Sequence, residues 1–165
     1  MPILHSDSME FISRSADQTR RAGMRLGALL RSGDAVHLIG DLGAGKTTFV
    51  QGVARGWGSL DAASSPTFVL VNVYRRADGS QLFHLDAYRL SGPREAADLD
   101  IEEFLTTGPL VVEWAERVQE ALPDEMLRVH FNWVDNDQRD LVFTASGTRY
   151  QKLIQELRKH FYGVR

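Results

Sequence analysis

A three-layer α/β fold, with a central mixed parallel and antiparallel sheet flanked by helices, follows from three features of this chain. Apolar strand-like runs alternate with helical stripes, two pairs of runs are separated by turns short enough for antiparallel hairpins, and a glycine-rich loop joins one run to a helix. The loop is the sharpest signal. Gly40-Asp41-Leu42-Gly43-Ala44-Gly45-Lys46-Thr47 fits Gly-x-x-x-x-Gly-Lys-Thr, a phosphate-gripping P-loop. It lies between the apolar run Ala35-Val36-His37-Leu38-Ile39 and a helical stretch from Thr48 to Ala54 with Phe49, Val50 and Val53 on one face.

The other elements follow in order. A short strand is predicted at Glu10 to Ile12. Ser15 can cap a helix that puts Ala22, Leu26, Leu29 and Leu30 on one face and stops at Ser32-Gly33-Asp34. After Trp57 a loop runs from Gly58 to Ser65. Val69 to Tyr74 and Leu82 to Leu85, joined through Asp78-Gly79, read as a hairpin. Pro93 to Phe104 is acidic and holds one or two short helices, and Pro109-Leu110-Val111-Val112 is a compact strand ending at Glu113. Met126 to Trp133 and Leu141 to Ala145 form a second hairpin around Asn136-Asp137. Tyr150, Leu153, Ile154, Leu157 and Phe161 make a helical stripe, which reads as core packing. There are no repeats, low-complexity stretches or linkers, and at 165 residues with 43% hydrophobic content residues 1–165 are expected to form one domain.

The loop's residue types specify its ligand. Phosphate oxygens approach a backbone closely only where no Cβ intervenes, so Gly43 and Gly45 let successive N–H groups converge at the positive end of the following helix. Lys46 then reaches the β- and γ-phosphates, and the Thr47 hydroxyl supplies an oxygen to Mg²⁺. The expected fold is therefore the P-loop NTPase fold, and the expected ligands are a nucleoside triphosphate and Mg²⁺. Such a site also needs an acidic residue at a neighbouring strand end. Asp86, after Gln81-Leu82-Phe83-His84-Leu85, and Glu113 both qualify, against the plainer reading of a solvated strand end. Asp86 is assigned to the metal shell. Glu113, with its longer side chain, can contact Mg²⁺ or orient the attacking water. Trp114 can lie against the nucleotide or fill core, while His84 is expected to pack on the sheet. Ser65-Pro66-Thr67 occupies the place of a γ-phosphate-sensing switch, although as sequence it is also an ordinary turn before a strand.

Composition removes other classes. The absence of cysteine excludes disulfides, thiolate zinc sites and a thiol nucleophile. Residues Met1 to Asp7 carry no basic region followed by an apolar run, and no segment is long enough to span a bilayer, so a soluble, cytoplasmic protein is expected. A formal charge of -3 argues against a chain that wraps nucleic acid unaided. Any RNA contact would need a partner, and nothing points to DNA. A small-molecule kinase would share the P-loop, but Arg89, Arg94 and Arg117 are too scattered to form a lid. A nucleotide-dependent binding switch without turnover is a second alternative. A GTPase is disfavoured by the lack of an Asn-Lys-x-Asp segment.

Four motifs together, Gly40 to Phe49, Ser65-Pro66-Thr67-Phe68, His84-Leu85-Asp86-Ala87-Tyr88-Arg89-Leu90 and Val112-Glu113-Trp114, closely resemble the TsaE (YjeE) family of bacterial ATPases of tRNA threonylcarbamoyladenosine biosynthesis. The order and approximate spacing match from about Thr19 to Arg139. The resemblance implies that Gly40, Asp41, Leu42, Gly43, Ala44, Gly45, Lys46, Thr47 and Thr48 bind ATP, that Ser65, Pro66 and Thr67 act as a switch, and that Asp86 serves the metal site. It further implies that Glu113 is a Mg²⁺ ligand or catalytic residue, that Trp114 lies near the nucleotide, and that Arg139 approaches ATP. Its implied partners are the proteins TsaB and TsaD, which carry the transfer chemistry on tRNA. The tail from Gly147 to Arg165 departs from the pattern.

Overall fold

The computed structural model describes residues 7–41, 43–61, 71–90 and 93–162. They form a seven-stranded sheet in the order β1-β7-β6-β2-β5-β4-β3. The strands are β1 (Ser8–Ser13), β2 (Ala35–Gly40), β3 (Val71–Arg75), β4 (Gln81–Asp86), β5 (Leu110–Glu113), β6 (Met126–Trp133) and β7 (Arg139–Ser146). Around them pack α1 (Ala16–Gly27), α2 (Lys46–Trp57), α3 (Pro93–Ala97), α4 (Ile101–Thr107) and α5 (Thr148–Tyr162). The central strand β2 is parallel to both β5 and β6, β4 is parallel to β5, and the β3–β4, β6–β7 and β1–β7 pairs are antiparallel. Both predicted hairpins are present, the first turning at Gly79 with φ 86°. Of the predicted loop from Gly58 and the first hairpin strand, residues 62–70 lie outside the described segments.

Alternation along each strand splits the interior into two layers. Val36, Leu38 and Val111 face a core shared with Leu26, Phe49, Val53, Leu153 and Leu157, and so with α1, α2 and α5. Leu85, Leu110 and Val112 face the other way, into a smaller core with Leu90, Ile101 and Val118. A strand buried on both sides needs apolar residues at every position, which is why Ala35 to Leu38 reads as an almost unbroken apolar run. His37 is the exception and faces the smaller core beside Val112.

Helix α1 begins where expected, with the Ser15 hydroxyl accepting from the Gln18 N–H at 3.1 Å. It ends earlier than the apolar stripe suggested. Leu29 and Leu30 donate to the carbonyls of Leu26 and Gly27, an i to i+3 pattern that tightens the chain after Gly27 while keeping Leu30 buried. Helices α1 and α2 then touch backbone to backbone. A Cβ placed at Gly23 or Gly27 would lie 2.2 or 2.0 Å from the Phe49 or Val53 carbonyl oxygen. At Gly52 or Gly56 it would lie 1.9 Å from the Arg20 or Met24 oxygen. Two interlocked glycine pairs therefore fix the P-loop helix on its neighbour.

The C-terminal helix clamps the start of β2. Buried Asp34 accepts from Arg149 Nε and Nη2 at 3.0 and 2.8 Å and from the Arg31 N–H at 2.9 Å, and the Tyr150 hydroxyl accepts from the Ala35 N–H at 2.9 Å. This ties the tail, which sequence reading left without a role, to the strand that leads into the P-loop.

Candidate functional site

The glycines of Gly40 to Thr47 are spent where backbone geometry demands them. Gly43 and Gly45 have φ of 80° and 100°, in the left-handed region that side-chain-bearing residues avoid. Gly45 caps α2 without any side-chain hydrogen bond, so the helix presents its first N–H groups and positive end to whatever occupies the loop. The Lys46 ammonium folds back to donate to the Gly40 carbonyl and lies 3.5 Å from the centre of the Trp114 ring. Lys46 is 5% exposed, and burial pulls its pKa below the ordinary lysine range, opposed by Glu113, Glu116, Asp86 and Asp41.

Opposite the loop stand the two predicted carboxylates. Strand register pairs Asp86 of β4 with Glu113 of β5, on the same face of the sheet as Leu38 of β2. Both are nearly buried. One Asp86 oxygen accepts from the Tyr88 N–H at 3.0 Å, and Glu113 Oε2 is 2.6 Å from His84 Nε2. Trp114 follows in the left-handed region with φ 58°, a costly conformation for a bulky residue. This sharp reversal leaves the ring half-buried against the smaller core and across Lys46.

Gly43, Gly45, Lys46, Thr47, Thr48, Asp86, Glu113 and Trp114 line one cleft of about 240 Å³. A second hollow of about 150 Å³ shares Gly43, Gly45 and Thr48 with it and adds Thr19 and Arg139. Arg139 is the first residue of β7; it stacks on Trp133 at 4.5 Å, and Nη2 donates to the Gly43 carbonyl at 3.4 Å. Sequence-predicted residues 40 and 43–48, with Asp86, Glu113, Trp114 and Arg139, thus converge on one loop. Asp41 is exposed at its rim. Leu42, Ser65, Pro66 and Thr67 lie outside the described residues. A larger hollow, about 460 Å³ around Asp98, Asp100 and Glu102, contains none of these residues, so size alone does not locate the chemistry.

The donors suit a hard cation. Thr47, Asp86 and Glu113 offer oxygen only, the preference of Mg²⁺, which takes one or two carboxylates and completes its shell with phosphate and water. Among the described residues no three His, Cys, Asp or Glu side chains gather to hold a metal unaided. Of the arginines considered for a kinase lid, Arg117 is held over Tyr88 at 5.3 Å and Arg94 is exposed on α3.

What sequence reading missed is the company Glu113 keeps. His84 does pack in the sheet as expected, but both ring nitrogens are engaged, Nδ1 with the Tyr74 hydroxyl at 2.9 Å and Nε2 with Glu113. The available signal was the strand period: Tyr74, His84, Asp86 and Glu113 fall on one face once β3, β4 and β5 are aligned.

Fold and site together define a P-loop protein with a mixed sheet. A family model described as "Threonylcarbamoyl adenosine biosynthesis protein TsaE" matches residues 13–141, and the chain belongs to this TsaE family. A Bacillus subtilis protein named "tRNA threonylcarbamoyladenosine biosynthesis protein TsaE" is 40% identical over 145 residues, 87% of this chain and 90% of the relative. One of the same name from Streptomyces coelicolor is 46% identical over 125 residues, covering 74% and 84%. The crystal structure of Bacillus subtilis YdiB superposes with a TM-score of 0.77 at 34% identity, covering 93% of this chain and 95% of that one.

Proposed function

We propose that this protein binds ATP with Mg²⁺ and hydrolyses it, as a cytoplasmic accessory ATPase for threonylcarbamoyladenosine modification of tRNA. The observation that carries the reading is the convergence of Lys46, Thr47, Asp86 and Glu113 on one cleft at the start of α2. The names of the relatives support the pathway, and among the described residues no helix is long and apolar enough to cross a membrane, which is compatible with the location.

In this reading the loop N–H groups and the α2 N-terminus bind the phosphates, and Lys46 neutralises charge on the transferring phosphoryl group. Thr47 and Asp86 would hold Mg²⁺, with Glu113 as a further ligand or as the group that orients water. An ion held there would supply positive charge against the charge developing on the phosphoryl oxygens. Trp114 and Arg139 flank the nucleotide. Phosphoryl transfer depends on positioning and charge more than on a strong base, which this constellation of one cation and two carboxylates provides.

The proposed partners are TsaD and TsaB, which act on the tRNA, so that contact with tRNA is indirect. The acidic balance of the chain suits a protein partner better than a phosphate backbone. Ser65, Pro66 and Thr67 are proposed as the switch, on the resemblance of their motif. Thr67→Ala should then change the ratio of partner affinities measured with ATP and with ADP, and an unchanged ratio defeats the switch. ATP turnover measured with and without TsaB and TsaD tests the whole reading. Stimulation by the partners is expected. Absence of hydrolysis in both conditions, with ATP still bound, would favour the non-hydrolysing switch.

A further inference from the structure

Glu113 is 4% exposed and His84 is fully buried, yet their oxygen and nitrogen stand 2.6 Å apart. Two lone pairs cannot meet at that distance, so a proton lies between them. The far side of the ring decides where it sits. His84 Nδ1 is 2.9 Å from the Tyr74 hydroxyl, which can donate to it. A neutral imidazole that accepts at Nδ1 must carry its hydrogen on Nε2, aimed at Glu113. With the Tyr74 hydroxyl donating to Nδ1, the neutral ring places its hydrogen on Nε2, toward one oxygen of Glu113, which lines the cleft. The ring is fully buried and does not line the cleft, whereas Glu113 does. Its neighbours on β3 and β4 are fixed by the sheet, with Asn72 paired to His84 in register and its amide donating to the Tyr74 hydroxyl at 3.4 Å.

We infer that His84 is a positioning residue for hydrolysis: held between Tyr74 and Glu113, it fixes the orientation of the Glu113 carboxylate. The inference rests on the ATPase reading of the cleft. An imidazole oriented by one neighbour and orienting another is a common device at catalytic and metal sites, where removing the orienting partner typically costs about 10–100-fold in activity or affinity. Asp86 has no such partner among the described residues and accepts from the Tyr88 N–H. The two carboxylates therefore differ in how they are held.

The chemistry of amide replacements separates this role from packing. In His84→Gln the side-chain amide can reach the Nε2 position and still donate to Glu113; in His84→Asn the amide reaches only the Nδ1 position. Steady-state ATP hydrolysis and nucleotide affinity would be measured for His84→Asn, His84→Gln, Tyr74→Phe and Glu113→Gln. We expect kcat to fall about 10–100-fold in His84→Asn with ATP affinity within about twofold of wild type, and His84→Gln to recover several-fold of that loss. Tyr74→Phe should lower kcat several-fold, since Nδ1 loses its donor while the ring packing remains. Wild-type kcat in His84→Asn, or an equal loss in both His84 variants, overturns the inference. Should neither His84 variant fold, Tyr74→Phe decides, and an unchanged kcat there overturns it. If Glu113→Gln itself hydrolyses ATP like wild type, the site reading falls as well, an outcome distinct from active His84 variants beside an inactive Glu113→Gln.

Discussion

The two walls of the cleft are built on different principles. The P-loop wall is made of backbone: glycines at positive φ, exposed N–H groups, and a helix seated on α1 through carbonyl contacts that leave no room for a Cβ. The facing wall is made of side chains held by other side chains, Glu113 by His84, His84 by Tyr74, and Lys46 beneath Trp114. A backbone wall binds by shape and dipole and tolerates little change in residue type at its glycines. A side-chain wall can be tuned one group at a time.

That contrast is broken most severely at Lys46, where the walls meet. In the proposed mechanism Lys46→Ala removes the cation that follows charge onto the transferring phosphate, and hydrolysis should drop on the order of 10³-fold or more, with weaker ATP binding and an unchanged circular dichroism spectrum. Wild-type turnover in a folded variant would exclude the P-loop mechanism. On the facing wall alone, Asp86→Asn and Glu113→Gln should each slow turnover by roughly 10²–10³-fold, about 3 kcal/mol of transition-state stabilisation, with a smaller change in nucleotide affinity. Single-turnover kinetics would check this, and either residue that proves dispensable leaves the site.

A third test compares the two buried histidines. Where His84 has partners at both nitrogens, His37 Nε2 has none among the described residues. Burial, with the Arg128 guanidinium as the lesser cause, lowers the His37 pKa from 6.5 to about 4. The unfolded chain takes up this proton first, so the stability is present above about pH 6.5 and is lost as pH falls toward 4, to a total of about 3 kcal/mol. Urea unfolding across that range should show the slope, and His37→Leu should flatten it. The smallest effect concerns the backbone wall's support. Gly52→Ala forces a methyl group into the Arg20 carbonyl and should cost about 2 kcal/mol, lowering Tm by roughly 4–8 °C in a thermal melt.

The same division governs what could be read from the sequence. A backbone wall imposes its demands on consecutive residues, so Gly40 to Thr47 announces itself in eight letters, and the strand before it and helix after it follow from local periodicity. From periodicity Asp86 and Glu113 were visible only as strand ends, with their roles supplied by the family resemblance, because their pairing depends on β4 and β5 lying side by side. The Tyr74, His84 and Glu113 chain becomes legible only once the strands are aligned: its links span 10 and 29 residues, and no local pattern distinguishes a histidine that packs from one that donates. The glycine pairs on α1 and α2 were hidden for a related reason. Each pair is spaced by four residues, but the meaning of that spacing appears only when the two helices cross.

The position of β2 in the sheet has a consequence for the order in which the molecule is made. Its two hydrogen-bonded neighbours, β5 and β6, both come later in the chain, as does the Arg149 and Tyr150 clamp on its first residues. During synthesis the phosphate loop therefore leaves the ribosome long before anything can frame it, and its strand stays without partners until residues 110–133 have emerged. Such distant pairings are slow to close. The earliest piece of the site to be translated is the last to acquire its walls, so a nascent chain completes the cleft only when residues 110–133 have been made.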